Sequence, residues 1–143
     1  MNAVPKSAKS FRLSVRGVIF DNNGHCLLLR RSAINHNFVG CWEWPGGQVD
    51  SGEDFAAALL REVHEETSFI VQITGLAGAV TYEMATVYMA LLCMEVSAVS
   101  GKLQLSEEHD DFSWVPLPQF SEFSFPPNVR AFMLEYAKRK MTL

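Results

Sequence analysis

The sequence predicts an α+β fold: short strands, one central helix rich in carboxylates, and a second helix at the C-terminal end. Three observations carry this. From Glu53 to Thr67 the apolar residues Ala56, Leu59, Leu60 and Val63 keep the i, i+3, i+4, i+7 spacing of a helix, with no internal Gly or Pro. Val129, Phe132, Met133 and Tyr136 repeat helical spacing just after Pro126-Pro127, a pair suited to a helix start. Around these segments lie short runs of β-branched and aromatic residues bounded by turn formers.

Taken in order, Phe11 to Phe20 reads as a strand, Asp21-Asn22-Asn23-Gly24 as a turn, and Cys26 to Leu29 as the returning strand of a hairpin. Residues Arg31 to Gly40 are polar and read as a loop. Cys41 to Trp44 makes a short strand that Pro45-Gly46-Gly47 is expected to stop. Ser51 followed by Asp54 resembles a capping box opening the central helix. Phe69 to Ile73 and Ala79 to Val96 read as strands, the second interrupted near Glu83, and Gly101 to Leu105 and Phe112 to Pro116 as shorter extended pieces. The last helix, Asn128 to Arg139, ends near Lys138-Arg139-Lys140, a basic turn that suits the negative pole of a helix.

The 143 residues suffice for one core, since a chain of this size buries roughly 70% of its unfolded surface. We expect one domain over residues 11–143 behind a flexible N-terminal segment, residues 1–10, which is polar and lacks the apolar stretch of a signal peptide. The longest apolar run, Val87 to Met94, is far short of the ~20 residues that span a bilayer. Cysteines Cys26, Cys41 and Cys93 are odd in number and form no CxxC pair, so reduced, buried thiols are expected and the cytoplasm is the expected compartment. A net charge of -4 argues against a coat for nucleic acid polymers. An anionic substrate would need local help.

That help is suggested by Glu62, Glu65 and Glu66, which fall on one face of the central helix as i, i+3 and i+4 neighbours. Each like-charged pair costs roughly 0.2–0.5 kcal/mol in an isolated helix. A bare triplet of this kind reads as a solvated face. Its neighbours change the reading: Pro45-Gly46-Gly47 lets backbone approach closely and leaves a carbonyl available, Glu53 adds an acid at the helix start, and Ala58 leaves space over the acids. Carboxylates with a backbone carbonyl are hard oxygen ligands of the kind Mg²⁺ or Mn²⁺ requires, and such a cation can bridge acid to phosphate. His64-Glu65 does not begin a zinc-binding HExxH, because Ser68 stands where the second His is needed. His25, His36 and His109 share no spacing that suggests a site. Trp42, Trp44, Tyr82 and Met84 are candidates for a nucleobase pocket, since aromatic rings stack on bases. Arg30 and Arg31 are candidate phosphate contacts; strand alternation leaves one of them to the structure, and Arg30 is the one assigned to substrate.

Gly47, Glu53, Arg61-Glu62-Val63, Glu65-Glu66 and Phe69 together resemble the Nudix box at every position but one, Ser68 standing where that family has Gly. The helix end is therefore expected to pay for a non-Gly residue in a left-handed cap. "LLLRRS", "GCWEWPGGQVD" and "EEHDDFSWVPL" extend the resemblance over most of the chain. The resemblance implies an α/β/α sandwich with a mixed central sheet and metal-dependent hydrolysis of a nucleoside diphosphate linked to another moiety. It implies that Glu65, Glu66 and the backbone carbonyl of Gly46 bind metal, and that Glu62 binds metal or activates water. Arg61 would hold the carboxylates, and Glu53 would orient a partner or bind metal through water. Glu108 is the candidate for an additional loop acid, with Glu107 and Asp110 as competitors. The similarity of "LLLRRS…GCWEWPGG" to the MutT-like branch implies a nucleoside triphosphate substrate, an oxidised purine nucleotide among the options, split to monophosphate and pyrophosphate. The alternatives are a dinucleoside polyphosphate, ADP-ribose or nucleotide sugar on the same machinery, or a non-catalytic nucleotide-binding regulatory domain. A small-molecule nucleotide is thus the expected partner, with no nucleic acid polymer or membrane, and the chain is expected as a monomer or homodimer.

Overall fold

The computed structural model describes Pro5 and residues 8–142. In chain order it forms β1 (Ser10–Ile19), β2 (Cys26–Arg31), β3 (Trp42–Glu43), β4 (Gly46–Gln48), α1 (Phe55–Thr67), β5 (Ile70–Glu83), β6 (Val87–Ser100), β7 (His109–Val115), a 3₁₀ turn at Leu117–Glu122, and α2 (Pro127–Met141). One sheet has the order β4-β1-β6-β5 and the other β3-β2-β7. β1 runs parallel to β6, and the remaining pairs are antiparallel, so the four-stranded sheet is mixed.

Strand alternation builds two cores. Val15 and Ile19 of β1 and Leu27 and Leu29 of β2 pack with Ala58, Leu59 and Val63 of α1. Val18 of β1 and Cys26 and Leu28 of β2 pack with Trp44 and with Val129, Met133 and Tyr136 of α2. The result is an α/β/α sandwich with α1 and α2 serving opposite cores. None of the three cysteines is in a disulfide. Among the described residues no helix is long and apolar enough to cross a membrane.

Several local expectations are corrected. β1 and β2 meet only through the bridge between Phe20 and Cys26 and then diverge into separate sheets, because β2 is apolar on both faces and each face serves a different core. Gly46 and Gly47 do not merely stop a strand; they form β4 and pair with β1. The helix cap is Asp54, whose side chain accepts from the Ala57 N–H at 2.7 Å, rather than Ser51. Leu60, on the predicted apolar stripe, is 40% exposed at its margin. β5 runs unbroken through Thr74 to Gly78 by shifting register there, and Gly101 to Leu105 belongs to no strand. Residues 1–4, 6 and 7, where most of the expected flexible segment falls, lie outside the described residues. Lys9 already donates to Met84 O at 2.9 Å and pairs with Glu83 at 3.0 Å.

Ser68 ends α1 in the left-handed region at φ 67°, its N–H donating to His64 O at 2.8 Å. A Cβ there costs on the order of 1 kcal/mol that glycine avoids. Ser68→Gly should therefore raise the unfolding free energy by about 0.5–1 kcal/mol and Tm by roughly 1–4 °C, read by thermal unfolding.

Candidate active site

The site begins where β4 lies against α1. A Cβ on Gly46 would stand 2.0 Å from Val15 O, and one on Gly47 would stand 2.6 Å from the Glu62 carboxylate. At Gly46 the obstacle is backbone, so only glycine allows this approach. It lets the Gly46 N–H donate to Glu66 Oε1 at 3.2 Å.

Arg61 organises the acids on the outer flank of α1. It makes a forked pair with Glu53, both bonds at 2.9 Å, and reaches Glu62 at 2.9 Å and Glu65 at 3.4 Å. The Arg61 hydrogen bond, with the Asp50 N–H, holds the Glu53 carboxyl down to about 2. Glu62 is half-buried, and burial raises its pKa despite Arg61, with the charges of Glu65 and Glu108 adding to the rise. Glu66 is only 2% exposed. Burial raises its pKa well above the ordinary range; Glu43 and Glu108 raise it further, against Arg16 and the Gly46 N–H.

These residues border a cavity of about 340 Å³. Its lining includes Gly46, Gly47, Glu62 and Glu108, the cations Arg16 and Arg31 with their partner Glu43, and the apolar Trp44, Tyr82, Met84, Met89 and Leu91. Glu66 is buried beside it and Glu65 sits exposed on α1. The expected cluster is thus gathered, with two exceptions. Arg30 points away, donating to Asp110 at 2.7 Å and lying 5.9 Å from the Trp42 ring centroid, and Trp42 packs edge-on against Phe123. Neither lines the cavity. Alternation along β2 presents Arg31 instead. Among the loop acids, Asp110 is taken by Arg30, whereas Glu108 borders the cavity.

Three site residues escaped sequence reasoning: Arg16, Glu43 and His109. Glu43 is buried; its carboxylate accepts from Arg31 at 3.1 Å and pairs with Arg16 at 3.3 Å and with His109 Nε2 at 2.8 Å. Burial would raise its pKa, but Arg16, His109 and Arg31 outweigh burial and bring it down to about 2. A signal existed for two of these. A charge in the middle of an apolar strand, as in "SVRGVIF" and "WEW", demands a partner. His109 carried no such signal, since its inward direction depends on how β7 pairs with β2.

Among the described residues no three His, Cys, Asp or Glu side chains converge tightly enough to hold an ion. The donor chemistry nevertheless fits a hard divalent cation: the Glu66 carboxylate lies against the Gly46 backbone and that of Glu62 against Gly47, and burial raises the pKa of both.

A mixed-sheet sandwich carrying these acids on its central helix defines a class of protein, and comparison with known proteins names it. The NUDIX domain matches residues 10–136, and the chain belongs to that family, the Nudix hydrolases. The nucleoside triphosphatase NudI of Klebsiella pneumoniae (strain 342) is 31% identical over 108 residues, covering 68% of this chain and 77% of the relative. A MutT-like protein of Streptomyces ambofaciens is 33% identical over 110 residues, covering 77% of this chain and 67% of its own. The crystal structure of the MutT protein from Methanosarcina mazei Go1 superposes with a TM-score of 0.83 at 30% identity, over 92% of this chain and 96% of that one.

Glu43 and Glu66 act on stability with opposite sign. Glu43 is depressed, so its contribution is present above the ordinary 4.5 and is lost as pH falls toward about 2. Glu66 is raised, so it costs stability increasingly as pH climbs above the ordinary 4.5 to its folded pKa. Glu43→Gln should lower unfolding free energy at pH 7 by about 3 kcal/mol, leaving Arg16 and Arg31 without their anion, with the deficit narrowing at acid pH. Glu66→Gln should unfold at a higher denaturant concentration than wild type at pH 7 in metal-free buffer. Denaturant titrations from pH 3 to pH 7 check both signs.

Proposed function

We propose that this chain hydrolyses a nucleoside triphosphate to nucleoside monophosphate and pyrophosphate, using Mg²⁺ or Mn²⁺. One observation supports the reading: a single cavity is lined by the carboxylates Glu62 and Glu108, by the cations Arg16 and Arg31, and by aromatic and thioether side chains, three kinds of surface in one space. These three surfaces match a cation, a polyphosphate and a base. The volume of about 340 Å³ stands near the lower end of ligand pockets, roughly 300–1,000 Å³, and favours one nucleoside over two. The name of the NudI relative supports the same substrate class. An oxidised purine is a candidate base.

In this reading Glu65, Glu66, Glu62 and the Gly46 carbonyl hold the cation. When bound, it supplies neutralisation of phosphate charge and a lower pKa for the attacking water. Glu62, whose raised pKa suits a base near neutrality, takes the water's proton. Arg61 fixes Glu62 through its other arm on Glu53. Arg16 and Arg31 hold phosphate charge, already orientated by Glu43. Glu108 borders the same space and assists in positioning the water. Tyr82, Trp44 and Met84 wall the base. A regulatory domain that only bound nucleotide would have no use for a half-buried base gripped by an arginine.

We further propose that residues 11–143 work as one domain, a reading supported by the two shared cores. The cytoplasm suits its unpaired thiols, and the chain's negative charge supports a free nucleotide rather than a nucleic acid polymer as partner. It acts as a monomer or homodimer.

Glu65→Gln and Glu66→Gln should each lower turnover about 100-fold or more with Mg²⁺ while the circular dichroism stays unchanged. Glu108→Gln should lose less, about ten-fold. Steady-state pyrophosphate release measures both, and near-normal turnover in the first two variants would sink the metal assignment.

A further inference from the structure

We infer that His109 is a positioning residue for Glu66: its imidazole carries the fixed position of Glu43 to the carboxylate that faces the cation. This rests on the metal role proposed above for Glu66. His109 is 4% exposed, with Nε2 at 2.8 Å from Glu43 Oε2 and Nδ1 at 3.8 Å from Glu66 Oε1. Glu43 is bracketed by Arg16 and Arg31 and is ionised, so it accepts, and Nε2 carries the hydrogen. Nδ1, on the opposite side of the ring, is buried without a hydrogen-bond partner and faces Glu66 Oε1. The ring is thus wedged between the two carboxylates and sets how closely Glu66 can approach Glu43, while the Gly46 N–H donates to the same Oε1 from another side at 3.2 Å.

The backbone is built to deliver this ring. Along β2 and β7 the register runs Leu29 to Phe112 and Arg30 to Asp111, then shifts so that Arg31 faces His109. Asp110 is the extra residue of a β-bulge, a device that re-aims side chains. It turns outward to Arg30 at 2.7 Å while His109 turns inward. The preceding turn is pinned by Ser32 N–H to Glu108 O at 2.9 Å, Ser32 Oγ to Glu107 O at 2.6 Å, and Asn35 Nδ2 to Glu108 O at 2.8 Å. The bond to Glu43 accounts for Nε2, but the edge of the ring that meets Glu66 carries a buried nitrogen with no hydrogen bond, which packing alone does not explain.

The test is Mn²⁺ titration of the metal-stripped full chain, following free Mn²⁺ by electron paramagnetic resonance, alongside kcat and KM for a nucleoside triphosphate. Groups that orient metal ligands from behind are worth 10–100-fold in affinity, so His109→Ala should weaken Mn²⁺ binding about ten-fold. Excess Mn²⁺ should restore kcat, and KM for nucleotide at saturating Mn²⁺ should be unchanged. His109→Gln keeps an N–H for Glu43 but has no atom at the Nδ1 position, and should weaken Mn²⁺ by an intermediate factor; it carries the comparison if the alanine variant does not fold. A folded His109→Gln or His109→Ala with Mn²⁺ affinity within two-fold of wild type overturns the inference. Glu66→Gln separates the two claims: if it too leaves Mn²⁺ binding unchanged, the metal reading itself fails, whereas weakened binding in Glu66→Gln alone removes only the role of His109.

Discussion

Burying a carboxylate costs several kcal/mol unless opposite charge goes with it, and this chain buries Glu43 and Glu66 side by side with His109 between them. Glu43 is matched by Arg16 and Arg31 and stays ionised. Glu66 has only a backbone N–H and a more distant arginine field, and its neutral form gains. The rest of the site follows from that inequality. Glycines at 46 and 47 bring backbone against the acids of α1, and Arg61 ties the outer acids together without reaching the inner one. What remains is a concentration of oxygen donors for which the protein supplies too little positive charge of its own. A protein shaped for stability alone would not keep it.

The sequence made α1 legible because its pattern serves two demands at once: apolar residues at helical spacing face a core, and acids at the same spacing share the other face. The left-handed cap was legible only through the resemblance, which puts Gly at this position, and Ser68 adopts it although it is not glycine. Sheet membership was not legible. Cys26 to Leu29 is a continuous apolar run buried on both faces, and such a run does not tell which strand pairs with it. β1 finds a parallel partner seventy-odd residues away, which no local turn signal encodes.

Within the site, the acids of the helix were legible because i, i+3 and i+4 spacing shares a face, whereas the glycines joined them only through the resemblance to the Nudix box. The arginines were legible only as a pair: alternation says that Arg30 and Arg31 diverge, and the pairing of Arg30 with Asp110 decides which one leaves the cavity. Glu43 and Arg16 announce themselves only as charges needing partners, and each is the other's answer across elements far apart in sequence. His109 depends on a bulge, a register event between strands that residue types do not foretell.

The central claim is that this cavity splits a nucleoside triphosphate between its first and second phosphates with a divalent cation in place. The most direct measurement is product analysis by phosphorus NMR after incubating a panel of nucleoside triphosphates with the protein, with Mg²⁺ and with a chelator. The account predicts nucleoside monophosphate and pyrophosphate in equal amounts, formed only with the cation. Turnover that persists in chelator, or products limited to nucleoside diphosphate and orthophosphate, would contradict it.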